Sequence, residues 1–303
     1  MYLSIRDVIL QQLTESMGEK GNLLAGLKFL NLKALEMEFF KDGTVFLLSP
    51  EGKFSKADLF SPSERGLLTE QLDKNQIKVS ALLMHNDFGN PSITEEVDWI
   101  LRCVEGSKLL KVRIIRLDPV IHQKGLPVEQ AAERAVEILE RVLAALPSTE
   151  GVSFGLENHG EYSNNPEFFR IVFSALKDNR IGLTLDSGNF YWYGFPLDKV
   201  YQLFTELAPY TKHTHIKNIS YPADLRQKQR EIGYGYEKYV APIYEGDIDH
   251  RRLVESLKRA GYTGDICIED ESLGKFPREQ WPKIIKKDVE HLGGMLIEVL
   301  SGI

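Results

Sequence analysis

Cysteine is nearly absent from this chain: Cys103 and Cys267 are the only two in 303 residues. Two thiols so far apart make neither a disulfide framework nor a thiolate metal site, so both are expected to be reduced and the protein cytoplasmic. Cys267 alternates with its neighbours in a strand-like run, which suits a buried filler. Long apolar runs are missing too; none approaches the ~20 residues that a membrane helix needs. The opening Met1-Tyr2-Leu3-Ser4-Ile5-Arg6-Asp7 has neither the basic nor the apolar region of a signal peptide. Positive charge is not in excess, with 37 Lys and Arg against 44 Asp and Glu. That balance excludes the overall basic field of a nucleic-acid binder, though not a local basic patch. The chain also lacks a G-x-G-x-x-G after a strand and a G-x-x-x-x-G-K-[ST], the usual marks of dinucleotide and P-loop folds. No Pro/Gly/Ser-rich linker, repeat or low-complexity stretch divides it, so residues 1–303 are expected to form one domain.

What is present is an alternation of β-rich runs with helix-period runs, the pattern of parallel strands joined by helices. The runs 2–6, 32–38, 77–83, 110–117, 152–157, 181–185, 211–216 and 265–269 read as strands. The clearest helix is 128–146, apolar at three- and four-residue spacing and closed by Pro147. A second spans 249–260, ended by Gly261. Pro166 opens a helix over 166–177, and Pro277 opens the last one. Eight such strand–helix units in about 300 residues match a (β/α)8 TIM barrel. Two connections exceed a typical loop: 39–63 after the second strand and 218–247 after the seventh. Each reads as a lid or substrate-reading loop, or else as an oligomer contact or a decorated surface.

Four residues sit where hydrophobic runs end: Glu157, Asp186, His215 and Glu269. A carboxylate ending a buried strand is costly unless something pairs with it. Three carboxylates and an imidazole make a plausible site for one divalent metal. Neighbouring strands lie ~4.8 Å apart, so four consecutive strands of an open sheet would spread these residues over more than ~14 Å. A metal needs its ligands within ~2–2.5 Å. Only a closed barrel brings all four to one point.

From about residue 150 to 272 the chain resembles the xylose isomerase-like TIM barrels, the sugar phosphate isomerase/epimerase superfamily. The resemblance rests on Gly155-Leu156-Glu157-Asn158-His159, Leu185-Asp186-Ser187-Gly188-Asn189-Phe190, His213-Thr214-His215-Ile216-Lys217, Glu245-Gly246-Asp247-Ile248-Asp249, Gly261-Tyr262-Thr263-Gly264 and Ile268-Glu269. The first half matches only in its alternation and in Leu35-Glu36. The resemblance implies that Glu157, Asp186, His215 and Glu269 bind one divalent metal, Mn²⁺ first, with Co²⁺, Mg²⁺ or Zn²⁺ as alternatives. Substrate contacts are expected from Asn158, His159, Asn189, His213 and Lys217. His213 shares a side of its strand with His215 and would orient a ligand, touch substrate or be a satisfied core histidine. Asn189 stands where many relatives carry histidine, which favours positioning over proton transfer there. With seven histidines in all, the three-zinc apurinic endonuclease branch is not expected.

The implied activity is isomerisation or epimerisation of a small carbohydrate next to its carbonyl. Glu157 and Glu269 would exchange the α-proton, and the metal would act as Lewis acid. A lyase of inososes, dehydroshikimate or ketoglycosides would use the same parts. A metal-bearing carbohydrate-binding barrel is the non-catalytic alternative. No nucleic acid or membrane partner is expected, and a homodimer is consistent with the family. Arg113, Arg116, Arg226, Lys228 and Arg230 could read a phosphate or be solvated and paired. Tyr191, Trp192 and Tyr193 could stack on a sugar ring or pack the rim.

Overall fold

The computed structural model describes residues 1–51, 54–147 and 151–302. All eight expected strands form: β1 Tyr2–Ile5, β2 Ala34–Glu38, β3 Lys78–Leu83, β4 Ile114–Leu117, β5 Ser153–Glu157, β6 Ile181–Asp186, β7 Thr211–His215 and β8 Asp265–Ile268. Strands β2 to β7 make one parallel six-stranded sheet in chain order, and β8 pairs in parallel with β1. Isolated parallel bridges Arg6↔Glu36 and Ile216↔Ile268 join this pair to both edges of the sheet. The Arg6 amide donates to the Ile268 carbonyl (3.2 Å), and the Glu269 amide to the Ile216 carbonyl (3.0 Å).

Most strands are largely apolar because both faces are covered, β7 (Thr-Lys-His-Thr-His) being the polar exception. In β5, Phe154 and Leu156 join the core under the helices, while Gly155 and Glu157 alternate to the other face. That inner face is crowded at Gly155, where a Cβ would lie 2.4 Å from Thr184 Oγ1. The helix Val128–Ala145 buries Ala131, Ala135, Ile138, Leu139 and Val142, the three- and four-residue stripe read from the sequence. Burying each large aliphatic side chain contributes roughly 1.5–3 kcal/mol.

Several element ends differ from the sequence reading, three of them with a clear local cause. The strand expected from 110 starts at Ile114, because the helix Ile93–Leu110 runs further and Lys111 caps it at φ 58°. The strand expected from 32 starts at Ala34, since Asn31 caps the helix Leu23–Leu30 in the left-handed region. The last helix begins at Trp281, not Pro277. A 3₁₀ turn, Arg278–Gln280, intervenes, and Pro282 occupies the first turn, where it removes no helical hydrogen bond.

The two long connections are folded. Residues 39–63 carry an antiparallel hairpin, Thr44–Glu51 with Phe54–Asp58; residues 52–53 lie outside the described residues. Residues 218–247 carry the short ladder Asn218–Ile219 with Val240–Ala241. Arg230 sits between the rings of Tyr191 (4.5 Å) and Tyr221 (4.2 Å). Among the described residues no helix is long and apolar enough to cross a membrane.

Candidate functional site

Glu157, Asp186 and His215 are the last residues of β5, β6 and β7, and Glu269 directly follows β8. Register brings them level: Asp186 pairs with His215, and Ile216 bridges Ile268. One ligand-capable atom from each of the four lies within 4.8 Å of the others, and all four residues are buried. That span is about two metal–ligand bonds of ~2–2.5 Å. Asp186 Oδ2, His215 Nδ1 and Glu269 Oε2 are buried and make no directed hydrogen bond, only ion-pair contacts: Lys217 lies near the two oxygens, and Glu157 and Glu269 oxygens lie 3.1 and 3.3 Å from the nitrogen. Buried polar atoms left this way are costly. Their shared direction and their mixed oxygen and nitrogen character fit a divalent cation.

The remaining valences of the four are taken. Glu157 Oε2 accepts from Arg116 Nε (2.5 Å) and Oε1 from Asn189 Nδ2 (3.2 Å). Asp186 Oδ1 accepts from the backbone amides of Gly188 (2.8 Å) and Asn189 (2.7 Å). Glu269 Oε1 accepts from Arg6. Lys217 Nζ lies 3.2 Å from Asp186 Oδ2, 3.1 Å from Glu269 Oε2 and 2.6 Å from Glu271 Oε1. Three fixed cations therefore hold the carboxylates in place. Burial disfavours the charge on Glu157, but Arg116 and then His215 hold its carboxyl well below the usual range. His215, Lys217 and Arg6 do the same for Glu269. Burial pushes Asp186 up to about 8 against the pull of Lys217. Burial also disfavours a charged His215, yet Glu269, Glu36 and Glu157 outweigh it and push the imidazole up to about 10.

Beneath this layer runs a polar chain that sequence reasoning missed. His215 Nε2 contacts both Glu36 oxygens (3.1 and 2.9 Å), which turns Nδ1 toward the cluster. Glu36 Oε1 also meets His213 Nε2 (2.8 Å), and His213 Nδ1 meets Asp265 Oδ1 (2.8 Å). His213 was expected to orient a ligand or touch substrate. It is fully buried with both nitrogens engaged by Glu36 and Asp265, so no ring atom is left for substrate, which leaves the orienting role and that of a satisfied core histidine. Glu36, His213, His215 and Cys267 also bring ligand-capable atoms within 4.8 Å. There, however, Glu36 is satisfied by both imidazoles, and burial pushes the Cys267 thiol up to about 12.

The other expected contacts divide. Asn158 is fully buried: its amide donates to Asn164 Oδ1 (3.3 Å) and the Asp186 carbonyl (3.1 Å) and accepts from the Asp186 amide (2.8 Å). It ties β5 to β6 and has no donor left for a substrate. His159 is half exposed, with Nδ1 3.0 Å from both Asp118 oxygens. Asn189 and Lys217 reach the cluster as described. From the long loop, Tyr236 donates to Glu271 beside Lys217. Arg226 pairs with Asp247 (3.0 Å), Lys228 with Asp224 (3.4 Å), and Arg230 donates to four backbone carbonyls. Tyr191 is buried against Tyr221, with its hydroxyl on Asp247 (3.0 Å), so it packs the rim. Arg6, Glu36, Arg116 and Asp118 come from the half of the chain where the only motif signal was Leu35-Glu36.

The sequence model of the xylose isomerase-like TIM barrel family matches residues 30–294. The chain belongs to that family. An uncharacterised protein of Methanocaldococcus jannaschii is 24% identical over 229 residues, which is 70% of this chain and 71% of that protein. The crystal structure of the IOLI protein with a binding zinc atom superposes at a TM-score of 0.67 with 18% identity, over 99% of both chains. Mannonate dehydratase from Streptococcus suis serotype 2 superposes at 0.64 with 9% identity, over 100% of this chain and 94% of its own. At these identities the structural likeness is one of fold.

Proposed function

We propose that this member of the xylose isomerase-like family is a metal-dependent isomerase or epimerase of a small carbohydrate, acting at the carbon next to a carbonyl. The observation that carries the reading is the pair Glu157 and Glu269. Both are buried, each is pinned by its own arginine, and both keep an oxygen among the converging ligand atoms. Glu157, Asp186, His215 and Glu269 would hold the metal. The zinc atom named with the IOLI protein supports a divalent ion bound on this fold. When bound, the ion supplies Lewis-acid stabilisation of charge developing on the substrate oxygen. The two bridges that join β8 and β1 to the sheet support reading the eight strands as one closed barrel, and we take residues 1–303 as its single domain.

Both glutamates are held ionised at neutral pH, so each is ready to accept a proton. One removes the α-proton and, now protonated, returns it to the neighbouring carbon; delivery to the opposite face falls to the other glutamate once it has taken up a proton from solvent. Such acid–base work contributes roughly 10²–10⁴-fold. Arg116 and Arg6 keep the carboxylates from rotating away. Asn189, on Glu157, positions without titrating. His159, anchored by Asp118 at the half-exposed rim, has its second ring nitrogen left for a substrate hydroxyl.

A lyase reading is the second one, supported by the likeness to a mannonate dehydratase. It shares the first proton transfer and differs in expelling a β-hydroxyl. One experiment tests both. The chain is assayed for metal content, then incubated in D2O with ketoses, inososes and ketoglycosides. About one Mn, Co, Zn or Mg per chain, with deuterium entering the α-carbon of a substrate, is expected. An isomeric product marks the isomerase, and an unsaturated one the lyase. No metal uptake even after soaking in Mn²⁺, and no exchange, would sink both.

A further inference from the structure

A cavity of about 630 Å³ opens at the opposite end of the strands. Tyr2, Lys78, Thr211 and Asp265, the first residues of β1, β3, β7 and β8, line it, so it sits at the amino ends. Its walls carry four cations: Lys78, Lys111, Arg113 and Lys212. In a chain of formal charge −7 this is a local inversion of sign. Among the described residues none of the four is held by an ion pair. Lys78 lies over the Tyr2 ring (4.2 Å), which brings no negative charge. Burial alone pulls the Lys212 ammonium down, with no acid to offset it. The one lining carboxylate, Asp265, is committed to Ser4, His213 and Tyr262.

Two further side chains point to a ligand. Ser80 and Thr211 are 6% and 8% exposed, both line the cavity, and both hydroxyls lack a hydrogen-bond partner. Buried hydroxyls without partners are uncommon in folded proteins and ask for an explanation. A group that accepts from two hydroxyls and neutralises several cations is an oxyanion. The cavity falls within the range of small-molecule sites, ~300–1,000 Å³. Each phosphate carries about −1.5 to −2 charge at neutral pH, so four cations match two linked phosphates. Arginine supplies the planar fork and lysine the point charge that such groups use.

We propose that this amino-end cavity is a binding site for a small molecule carrying a di- or triphosphate group. The phosphates sit between Lys111, Arg113 and Lys212 and accept from Ser80 and Thr211. The site is separate from the carboxylate cluster and does not rest on the reading of that cluster.

Equilibrium dialysis with inorganic pyrophosphate and tripolyphosphate tests it, on the wild-type chain and three variants. Lys111→Gln/Arg113→Gln changes two exposed side chains, so folding is preserved. It is expected to weaken tripolyphosphate binding at least about tenfold, the effect of losing charge-assisted hydrogen bonds. Ser80→Ala/Thr211→Val is expected to weaken it by about three- to tenfold. Glu157→Gln/Glu269→Gln, at the other end, is expected to bind as the wild type does. Tripolyphosphate binding lost in the glutamate variant but kept in Lys111→Gln/Arg113→Gln would place the anion at the carboxylate end and overturn the proposal. No binding at millimolar probe would overturn it too, and if the hydroxyl variant fails to fold, the exposed pair decides.

Discussion

The two ends of the strands are built from opposite charges handled in opposite ways. At the carboxyl ends, Glu157, Asp186 and Glu269 are buried and held by Arg116, Lys217 and Arg6. What is left over there is a set of atoms that make ion-pair contacts but no directed hydrogen bond, aimed at one point. At the amino ends, Lys78, Lys111, Arg113 and Lys212 carry no ion pairs among the described residues, and the leftovers are two buried hydroxyls. Charged residues alone identify neither site, since both signs are common on any surface. The informative groups are those the fold has desolvated and then not paired. A cation answers the first set, an oxyanion the second.

The largest expected effect tests the carboxyl end. Glu157→Gln/Glu269→Gln removes two negative charges while leaving Arg116 and Arg6 buried. Bound metal should fall from about one per chain to none, and turnover by at least the roughly 10²–10⁴-fold of the lost acid–base step. Elemental analysis beside the deuterium-exchange assay reads both. Metal retained at full occupancy in the variant would mean that these oxygens are not ligands.

Next in size is pH. Asp186 stands near 8 and His215 near 10 in the metal-free chain, both above their ordinary values. At neutral pH protons therefore occupy two atoms that a metal would need, and a metal must displace them. Affinity should rise with pH, by about tenfold or more per unit between pH 6 and 8, with protons released on binding. Titration calorimetry in buffers of different ionisation enthalpy measures that release. Affinity independent of pH would remove Asp186 and His215 from the ligand set.

The carboxyl-end cluster was legible because each of its members ends a hydrophobic run, and a buried strand end leaves an acid nothing cheap to do. Its supports were not legible. Arg6 meets Glu269 across 263 residues of chain and Glu36 meets His215 across 179, contacts that exist only once the strands wrap round. Spacing also placed His213 on the right side of β7 but at the wrong depth. Two residues along a strand is about 7 Å, enough to sink it one layer below His215. Asn158 had the right neighbour and the wrong direction, turned into the seam with β6. Arg113 was a phosphate candidate by composition, yet three residues before Arg116 it belongs to the other end of the same strand. Loop cations 226, 228 and 230 gave no hint of their partners, because Asp247, Asp224 and the accepting carbonyls become neighbours only when the loop folds.

A smaller effect probes the chain beneath the cluster. Glu36→Gln keeps the shape but weakens the acceptor that turns His215 Nδ1 upward. Metal affinity should drop about 10–100-fold, the range for a lost supporting partner. Competition against a zinc-binding dye measures it. Unchanged affinity would show that His215 is oriented by its strand alone and that the Glu36–His213–Asp265 chain serves only packing.

The smallest expected effect compares like with like on one strand. Thr211 and Thr214 both lie in β7, and valine keeps the shape of each. The Thr214 hydroxyl donates to the Asp265 carbonyl (2.9 Å) and accepts from the Cys267 amide (3.1 Å), so Thr214→Val strands two buried backbone groups. That should cost about 1–3 kcal/mol. The Thr211 hydroxyl has no partner to lose, so Thr211→Val in phosphate-free buffer should be neutral within about 0.5 kcal/mol or slightly stabilising. Urea unfolding of the two variants gives the difference directly. Equal losses would mean that the Thr211 hydroxyl is already satisfied by solvent in the cavity. The contrast between a paired and an unpaired interior would then be confined to the carboxyl end.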